Sequence, residues 1–305
     1  ELDDFGVRFD CWYSQKSLRE SGKIEETLGV LRQRGFVYDQ DGAVWLRSTA
    51  FGDDKDRVVI KSDGSYTYLA PDIAYHREKF KRGYEFLINL WGPDHHGYIN
   101  RLKAAVSALG YDALSVAIVI VQLATISRGG KPLHMSTRKG QYIMLREVLE
   151  EVGLDASRFF FVMRKTSSHL DFDLEVAKKQ TAENPVYYCQ YAHARIASII
   201  RNSGVVLRDS GIEYPLLKEK EELALIKKLW QFQSVLLTCI ATQDPFMVTV
   251  YLQELAETFH KFYDKHRVLG QEEALCKARL ALIQATKTVL ATGLELLGVT
   301  RPEQM

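Results

Sequence analysis

Cysteine is scarce in this sequence, with four in 305 residues. Cys11, Cys189, Cys239 and Cys276 lie far apart, and no Cys-x-x-Cys pair occurs. That spacing argues against a zinc site and against a disulfide framework, and points to reduced thiols in a cytoplasmic protein. An excess of charge of one sign is also lacking. The formal net charge is +1, so no global basic field announces a polyanion partner, and any nucleic-acid site has to be a local patch. No signal-peptide pattern and no uninterrupted apolar run of about 18 residues occurs, so a membrane span is not expected. Internal repeats and low-complexity tracts are missing too. The first residue is Glu1, not Met, as in a piece of a longer protein or a processed start.

What is present is ordinary for a globular protein, with 46% hydrophobic and 26% charged residues. The length suits two domains with a sizeable core. Ile24, Leu28 and Leu31 fall at helical spacing behind Ser21-Gly22, so a helix is expected over 21–34. Two hairpins are expected next. One joins Val37-Tyr38 to Val44-Trp45-Leu46, and the other joins residues 57–61 to 66–68. The pattern then alternates: a helix over 73–82, a strand over 86–91, a helix over 99–109 stopped by Gly110, and a continuous apolar strand over 116–123. Strands separated by helices argue for βαβ units in a doubly wound sheet, and the last run should be a strand covered on both faces. From about Glu175 the strand signals stop. Asn184-Pro185 is a helix start, and helices are expected over 186–202, 218–241, 245–268 and 272–297, forming a bundle.

Four clusters carry the chemistry. Trp91-Gly92-Pro93-Asp94-His95-His96 follows a strand and precedes a helix, where open α/β sheets place their ligands. A glycine there admits a ligand to the backbone, and Asp94 can accept bonds from ribose hydroxyls. Against this stands a plain turn with an Asp N-cap, at even odds. The adjacent histidines point in different directions and have no third partner nearby, so no metal site is expected. The second cluster runs from Gly129 to Gly140. It holds Arg128, Lys131, Arg138 and Lys139, and no acid occurs from Ala113 to Arg146. A flexible basic loop beyond a sheet edge suits a reacting polyphosphate, whereas charge by itself favours a solvated surface loop. Tyr68, Asp72, Tyr75 and His76 form the third cluster; by themselves they read as an N-cap with packing tyrosines. Tyr188, Tyr191 and Arg195, three and four apart on one helix face, form the fourth, and Tyr263 with Arg267 repeats the theme. Such faces stack splayed bases and hold phosphates, although a tyrosine-rich packing face is commoner.

Several strings, read in order, resemble arginyl-tRNA synthetase along nearly the whole chain. They are Phe51-Gly52-Asp53-Asp54-Lys55-Asp56-Arg57, Asp72-Ile73-Ala74-Tyr75-His76, the residues from Trp91 to Tyr98, Arg158-Phe159-Phe160-Phe161, His169-Leu170-Asp171-Phe172-Asp173, and Asn184-Pro185-Val186-Tyr187-Tyr188 with Tyr191-Ala192-His193-Ala194-Arg195. The resemblance implies that Tyr68 and Asp72 hold the substrate arginine, a carboxylate facing a guanidinium. It implies that Gly92, Asp94 and His95, with Met135, bind ATP. It matches His134, Met135, Ser136, Thr137 and Arg138 to the family's KMSKS loop, with His134, Ser136, Arg138 and Lys139 serving the triphosphate. Tyr188, Tyr191, Arg195, Tyr263, Arg267 and Met305 are expected to contact arginine-specific tRNA.

The implied fold is the C-terminal half of a Rossmann-like class I synthetase catalytic domain with a hairpin-rich insertion, followed by a helical-bundle anticodon-binding domain. The expected boundaries are 1–65 for the insertion, 66–175 for the catalytic half and 176–305 for the bundle. ATP with Mg²⁺ is the implied co-substrate, with no dedicated metal cage. The sequence departs from the family's pattern twice. Both lysines of the loop are missing, so Lys131 or Lys139 is expected to supply the charge beside Arg138. No His-x-Gly-His string occurs; the family places it upstream with a tRNA-binding domain, and both are expected before Glu1. Alone, the chain is expected not to form arginyl-adenylate. Two rival readings stand beside this one: a tRNA-binding fragment or regulatory paralogue without catalysis, and a nucleotide-transferring enzyme that does not use tRNA.

Overall fold

A computed structural model describes residues 1–133, 143–206 and 211–305. The expected catalytic residues His134, Ser136, Arg138 and Lys139, and Met135, lie outside the described residues. The chain packs as two compact units, Phe9–Leu123, and Glu1–Arg8 with Ala124–Met305. Boundaries at 65 and 175 concern function, which compactness does not test.

In the first unit, α1 (Gln15–Glu20) and α2 (Lys23–Gln33) precede a three-stranded antiparallel sheet of β1 (Val37–Gln40), β2 (Ala43–Leu46) and β3 (Arg57–Ile60). The first expected hairpin forms, with Val37 opposite Leu46 and Gln40 opposite Ala43. Its turn residues Asp41 and Gly42 both have positive φ, 51° and 74°, the conformation that matches strand twist. The second expected hairpin forms only in brief. Tyr66 pairs with Ile60 as a single antiparallel bridge, with Thr67 N donating to Val59 O at 3.0 Å and Lys61 N to Ser65 O at 2.9 Å, while the other edge of β3 pairs with β2. A returning strand has no room to extend, because α3 (Leu69–Lys81) begins three residues after Tyr66. This helix starts four residues before the expected Ile73. Pro71 is compatible with that start because a first-turn residue needs no free N–H.

The expected βαβ unit is present. Strands β4 (Leu87–Trp91) and β5 (Val116–Ile120) are parallel, with Leu87 opposite Val116 and Trp91 opposite Ile120, and α4 (Ile99–Leu109) crosses between them. Gly110 closes α4 at φ 93°, the left-handed cap that glycine adopts without penalty. The expectation of one strand over 116–123, covered on both faces, is corrected. The strand stops at Ile120, and only Val116 in it is fully buried. On β4, Leu87 and Asn89 point inward while Ile88 and Leu90 are exposed. The apolar run therefore marks one buried face here, not two.

In the second unit, β6 (Ala124–Arg128) pairs antiparallel with β7 (Lys131–Pro132) and parallel with β8 (Leu170–Asp173). The basic loop thus follows β6, a strand the sequence reading did not separate from β5. Helices α5 (Leu145–Val152), α6 (Leu154–Phe161) and α7 (Leu174–Ala177) lead into the bundle of α8 (Pro185–Ser203), α9 (Lys220–Thr242), α10 (Phe246–Lys265) and α11 (Glu273–Leu296). Asn184 caps α8 as expected, accepting from the Val186 N–H at 3.2 Å, while its amide donates to Ala177 O at 2.8 Å. Phe159, Phe172, Cys189, Ile196, Phe259 and Ile283 share one core.

Helix α9 is long and apolar enough, by length and composition, to cross a membrane. It contains Lys227 and Lys228, and the Lys228 carbonyl accepts from Tyr251 of α10 at 2.8 Å.

Helices α10 and α11 approach closely at Gly293, where a Cβ would lie 2.6 Å from Leu252 Cδ2. Leu252 is fully buried. Alanine is the better helix former by about 1 kcal/mol, but overpacking a tight core costs about 1–3 kcal/mol. Gly293→Ala is therefore expected to destabilise this unit by roughly 1 kcal/mol net. A urea midpoint at or above the parent's would contradict this.

Candidate functional site

The first unit contains a cavity of about 810 Å³. Its wall is built from one face of α3 (Tyr68, Asp72, Tyr75, His76 and Lys79), from Asn89 and Trp91 of β4, and from His95, Tyr98 and Arg101 beyond it. Helical spacing explains the first group, since residues 68, 72, 75, 76 and 79 fall on one stripe. Strand alternation explains why Leu87, Asn89 and Trp91 share a face.

Asp72 is half-buried. It does not cap its helix. Its Oδ2 accepts from Tyr98 Oη at 3.0 Å. Burial pushes its carboxyl above the usual carboxylate range, opposed by the Tyr98 bond and by the charges of Lys79 and His95. Burial and the nearby Asp72 charge likewise raise the Tyr98 phenol. Beneath them, His76 Nδ1 lies 2.8 Å from the Asp72 carbonyl, and its Nε2 lies 3.2 Å from Asn89 Oδ1. Burial and the Lys79 charge push this imidazole down to about 4. It is therefore neutral at physiological pH, with one ring proton, which the shorter contact to the Asp72 carbonyl takes.

Lys79 Nζ donates to Asn89 Oδ1 at 3.2 Å and sits 4.5 Å from the centre of the Tyr75 ring. Asn89 Nδ2 and Arg101 Nε are buried without a hydrogen-bond partner among the described residues. The cavity therefore brings one carboxylate together with polar side chains, two of which keep a donor without a partner, an arrangement suited to a small ligand with a cationic end and polar groups.

The expected arginine pair divides. Asp72 is inside the cavity, while Tyr68 stands at its mouth, 87% exposed. His95 also lines the cavity. Gly92 and Asp94 lie just outside, in the exposed turn that follows β4. The alternative of a plain capped turn is not what forms there. The N-cap is Gly92 with no side-chain cap bond, its φ of −69° is open to any residue, and a Cβ would meet nothing within 4 Å. Lys79, Asn89, Tyr98 and Arg101 were missed by sequence reasoning. A polar Asn within an apolar strand, on the same parity as buried Leu87, was the one available signal.

In the second unit, the start of the basic loop is held in place. The Asp173 carboxylate accepts from Gly129 N at 3.1 Å and Gly130 N at 2.6 Å. Burial acts against the charge of Asp173, but the N–H groups of Gly130, Glu175 and Gly129 keep its carboxyl below the usual range. Arg128 is turned away into an ion pair with Glu151, Nη2 to Oε2 2.9 Å. Lys131 is exposed on β7. The loop expected to be flexible is held at this end, where Asp173 pins Gly129.

A second cavity, about 580 Å³, lies on the bundle between α8, α10 and the C-terminus. Tyr191, Arg195, Tyr263 and Met305 all line it. Arg195 donates to the Tyr191 hydroxyl and lies 4.8 Å from the centres of both the Tyr191 and Tyr263 rings. The C-terminal segment is anchored beside it, with buried His193 Nδ1 2.9 Å from the Pro302 carbonyl. Two expected members sit apart. Tyr188 packs into the core against His260, with ring centres 4.9 Å apart. Arg267 lines the adjoining cavity with Tyr263 and Leu269. Among the described residues no group of three His, Cys, Asp or Glu could hold a metal ion.

A parallel βαβ unit joined in one chain to a helical bundle fits the architecture of a class I aminoacyl-tRNA synthetase. The comparisons agree. The family model for the class I (R) tRNA synthetase catalytic domain matches residues 8–202, and that for the DALR anticodon-binding domain matches residues 189–305. The chain belongs to the arginyl-tRNA synthetase family. It is 49% identical over 312 residues to an arginine–tRNA ligase of Desulforamulus reducens, and 50% identical over 313 residues to one of Geobacillus kaustophilus. All of this chain is covered in both, against 55% and 56% of the relatives, so the chain spans about half their length. An arginyl-tRNA synthetase structure from Campylobacter jejuni matches with a TM-score of 0.89 at 34% identity, covering 100% of this chain and 66% of that one. The Thermus thermophilus arginyl-tRNA synthetase shares the fold, with a TM-score of 0.80 at 23% identity over 100% of this chain and 62% of that one.

Proposed function

We propose that this chain supplies the arginine pocket and the anticodon-reading bundle of a cytoplasmic arginine–tRNA ligase, which activates arginine with ATP and transfers it to its tRNA. The observation that carries the reading is the Asp72 carboxylate, oriented by Tyr98 inside a cavity of amino-acid size. Asp72 pairs with the guanidinium, and Tyr68 closes over the mouth. Gly92, Asp94 and His95 receive the nucleotide beside this cavity, with Met135. The open space over Gly92 supports that role. His134, Ser136, Arg138 and Lys139 serve the triphosphate as its charge redistributes, with Lys131 or Lys139 in place of the family's lysines. Mg²⁺ would arrive with the nucleotide, held by its phosphates and needing no protein cage. Chemistry here is positioning and charge stabilisation, with no covalent enzyme intermediate. The functional domains are the insertion to 65, the catalytic half to 175 and the bundle beyond.

Tyr191, Arg195, Tyr263 and Met305 form the anticodon contact, with Arg267 at its rim and Tyr188 supporting it from the core. The test is binding of this chain to arginine tRNA and to a non-cognate tRNA at two salt concentrations. Cognate preference that survives higher salt is expected. Arg195→Ala should weaken cognate binding by about tenfold to a hundredfold, the worth of one stacked, charged contact. Equal, weak binding of both tRNAs that vanishes with salt would defeat the reading. A tRNA-binding module without catalysis is the second reading. It is favoured by a bundle cavity formed entirely within one unit.

A further inference from the structure

Lys79 is half-buried and has no carboxylate within ion-pair distance among the described residues. Burying an ammonium group without a counter-ion is costly, so its position calls for a reason. Two neighbours hold it in place. Its Nζ bonds to Asn89 Oδ1 at 3.2 Å, and the face of Tyr75 lies 4.5 Å away. Helical side chains point toward the helix N-terminus, so Lys79 leans back along α3 toward Asp72, two turns earlier. It also fixes the Asn89 amide. Turning that amide over would give His76 Nε2 a donor, but would set an NH₂ group against the ammonium.

We propose that Lys79 is a positioning residue of this pocket: clamped by Asn89 and Tyr75, its ammonium group is held in the same cavity as the Asp72 carboxylate and tunes how that carboxylate receives a cationic ligand. The inference rests on the arginine reading of the cavity only for the identity of that ligand. Other charged or titratable groups face Asp72 from every side. His76 lies below it on the same helix, His95 and Tyr98 come from the turn beyond β4, Arg101 from α4 stacks 4.8 Å over Tyr98, and Arg57 of β3 lines the same cavity. His76 is neutral at physiological pH, and Arg57 is paired to Asp53 at 2.7 Å. Burial raises the Asp72 carboxyl, and Lys79 is one of the groups that opposes it. The same charge also repels an incoming guanidinium. Its removal therefore has two effects of opposite sign. Below neutral pH the pocket loses its anion sooner, and well above the Asp72 titration the cation binds no worse or better.

The experiment is a ¹³C titration of the Asp72 carboxyl carbon in this 305-residue chain, assigned with Asp72→Asn, for the parent, Lys79→Met and Lys79→Arg. The midpoint is expected to move to higher pH in Lys79→Met and to return in Lys79→Arg. Arginine affinity near pH 5 should fall by about threefold to tenfold in Lys79→Met, with no loss near pH 8. A loss of packing alone would weaken binding at both pH values. An Asp72 midpoint unmoved in Lys79→Met overturns the proposal. If Lys79→Met does not fold, Lys79→Gln, which can keep the bond to Asn89 without the charge, decides by the same midpoint. If the midpoint moves but no variant nor the parent binds arginine, the ligand reading fails and the role of Lys79 stands.

Discussion

Asp72→Asn is expected to weaken arginine binding by about a hundredfold or more, because truncating one member of a desolvated, hydrogen-bonded charge pair costs about 2–5 kcal/mol. The side chain keeps its shape, and the amide oxygen can still accept from Tyr98, so the change removes charge with little disturbance of packing. The guanidinium then meets a neutral group in a cavity where Lys79 and Arg101 already contribute positive charge. Tyr98→Phe serves as the comparison. It removes one charge-assisted bond to Asp72, worth about 1.5–3 kcal/mol, but leaves the carboxylate its charge for the ligand, and should cost less than Asp72→Asn. The ordering is the test. Calorimetry in which Asp72→Asn binds arginine as tightly as the parent would take Asp72 out of the site, whatever Tyr98→Phe does. The affinity of the parent should also fall as the medium is acidified through the Asp72 titration, since a protonated carboxyl offers no charge to the ligand.

The largest expected effect on stability is in the helical bundle of the second unit. Arg279 of α11 donates from Nε to Glu222 Oε1 of α9 at 2.7 Å, and its Nη1 donates to the Arg267 carbonyl at 2.8 Å. The Glu222 side chain is 0% exposed. Its other oxygen accepts from Glu219 N at 2.9 Å, as part of a capping box at the start of α9. Arg279→Met leaves a fully buried carboxylate without its cation and a carbonyl without a donor. Breaking such a pair from one side costs about 3–5 kcal/mol, and urea unfolding of the bundle should show a loss of that order. Replacing both partners by apolar residues is often neutral. Glu222→Leu with Arg279→Met should therefore recover most of the loss, except about 1 kcal/mol for the lost cap. An Arg279→Met variant that unfolds like the parent would show that this pair does not hold the bundle together. Because Arg279 holds the backbone at Arg267, the same variant should also disturb the cavity that Arg267 lines with Tyr263 and Leu269.

Much of the architecture was legible. Ile99–Leu109 with its Gly110 stop, the hairpin turn at Asp41-Gly42, and the four bundle helices were each carried by local rules: an apolar stripe, a left-handed cap, an N-cap followed by proline. The misreadings share one cause. Residues 57–61 and 66–68 meet at the Ile60–Tyr66 bridge alone, because α3 takes over at Leu69, and β3 pairs on its other edge with β2, which adjacency in the chain does not show. Residues 116–123 were taken as one buried strand because apolar runs do not say where a strand ends or how many faces are covered. The site followed the same division. Asp72 and His95 were found through strings that stand close in the chain. Lys79, Asn89, Tyr98 and Arg101 meet Asp72 only after α3, β4 and α4 fold onto one another.

By itself the sequence determined the family, through several strings in a set order, and the positions of most helices, through periodicity and caps that act within a few residues. Only the tertiary structure decided that Asp72 is gripped by Tyr98 and watched by an unpaired Lys79, that Gly129 is pinned by Asp173, and that Arg195 lies between two tyrosines. The reason is that charge, burial and hydrogen bonding act through space. Partners such as Arg195 and Tyr263, 68 positions apart, leave no periodic trace in the chain that joins them.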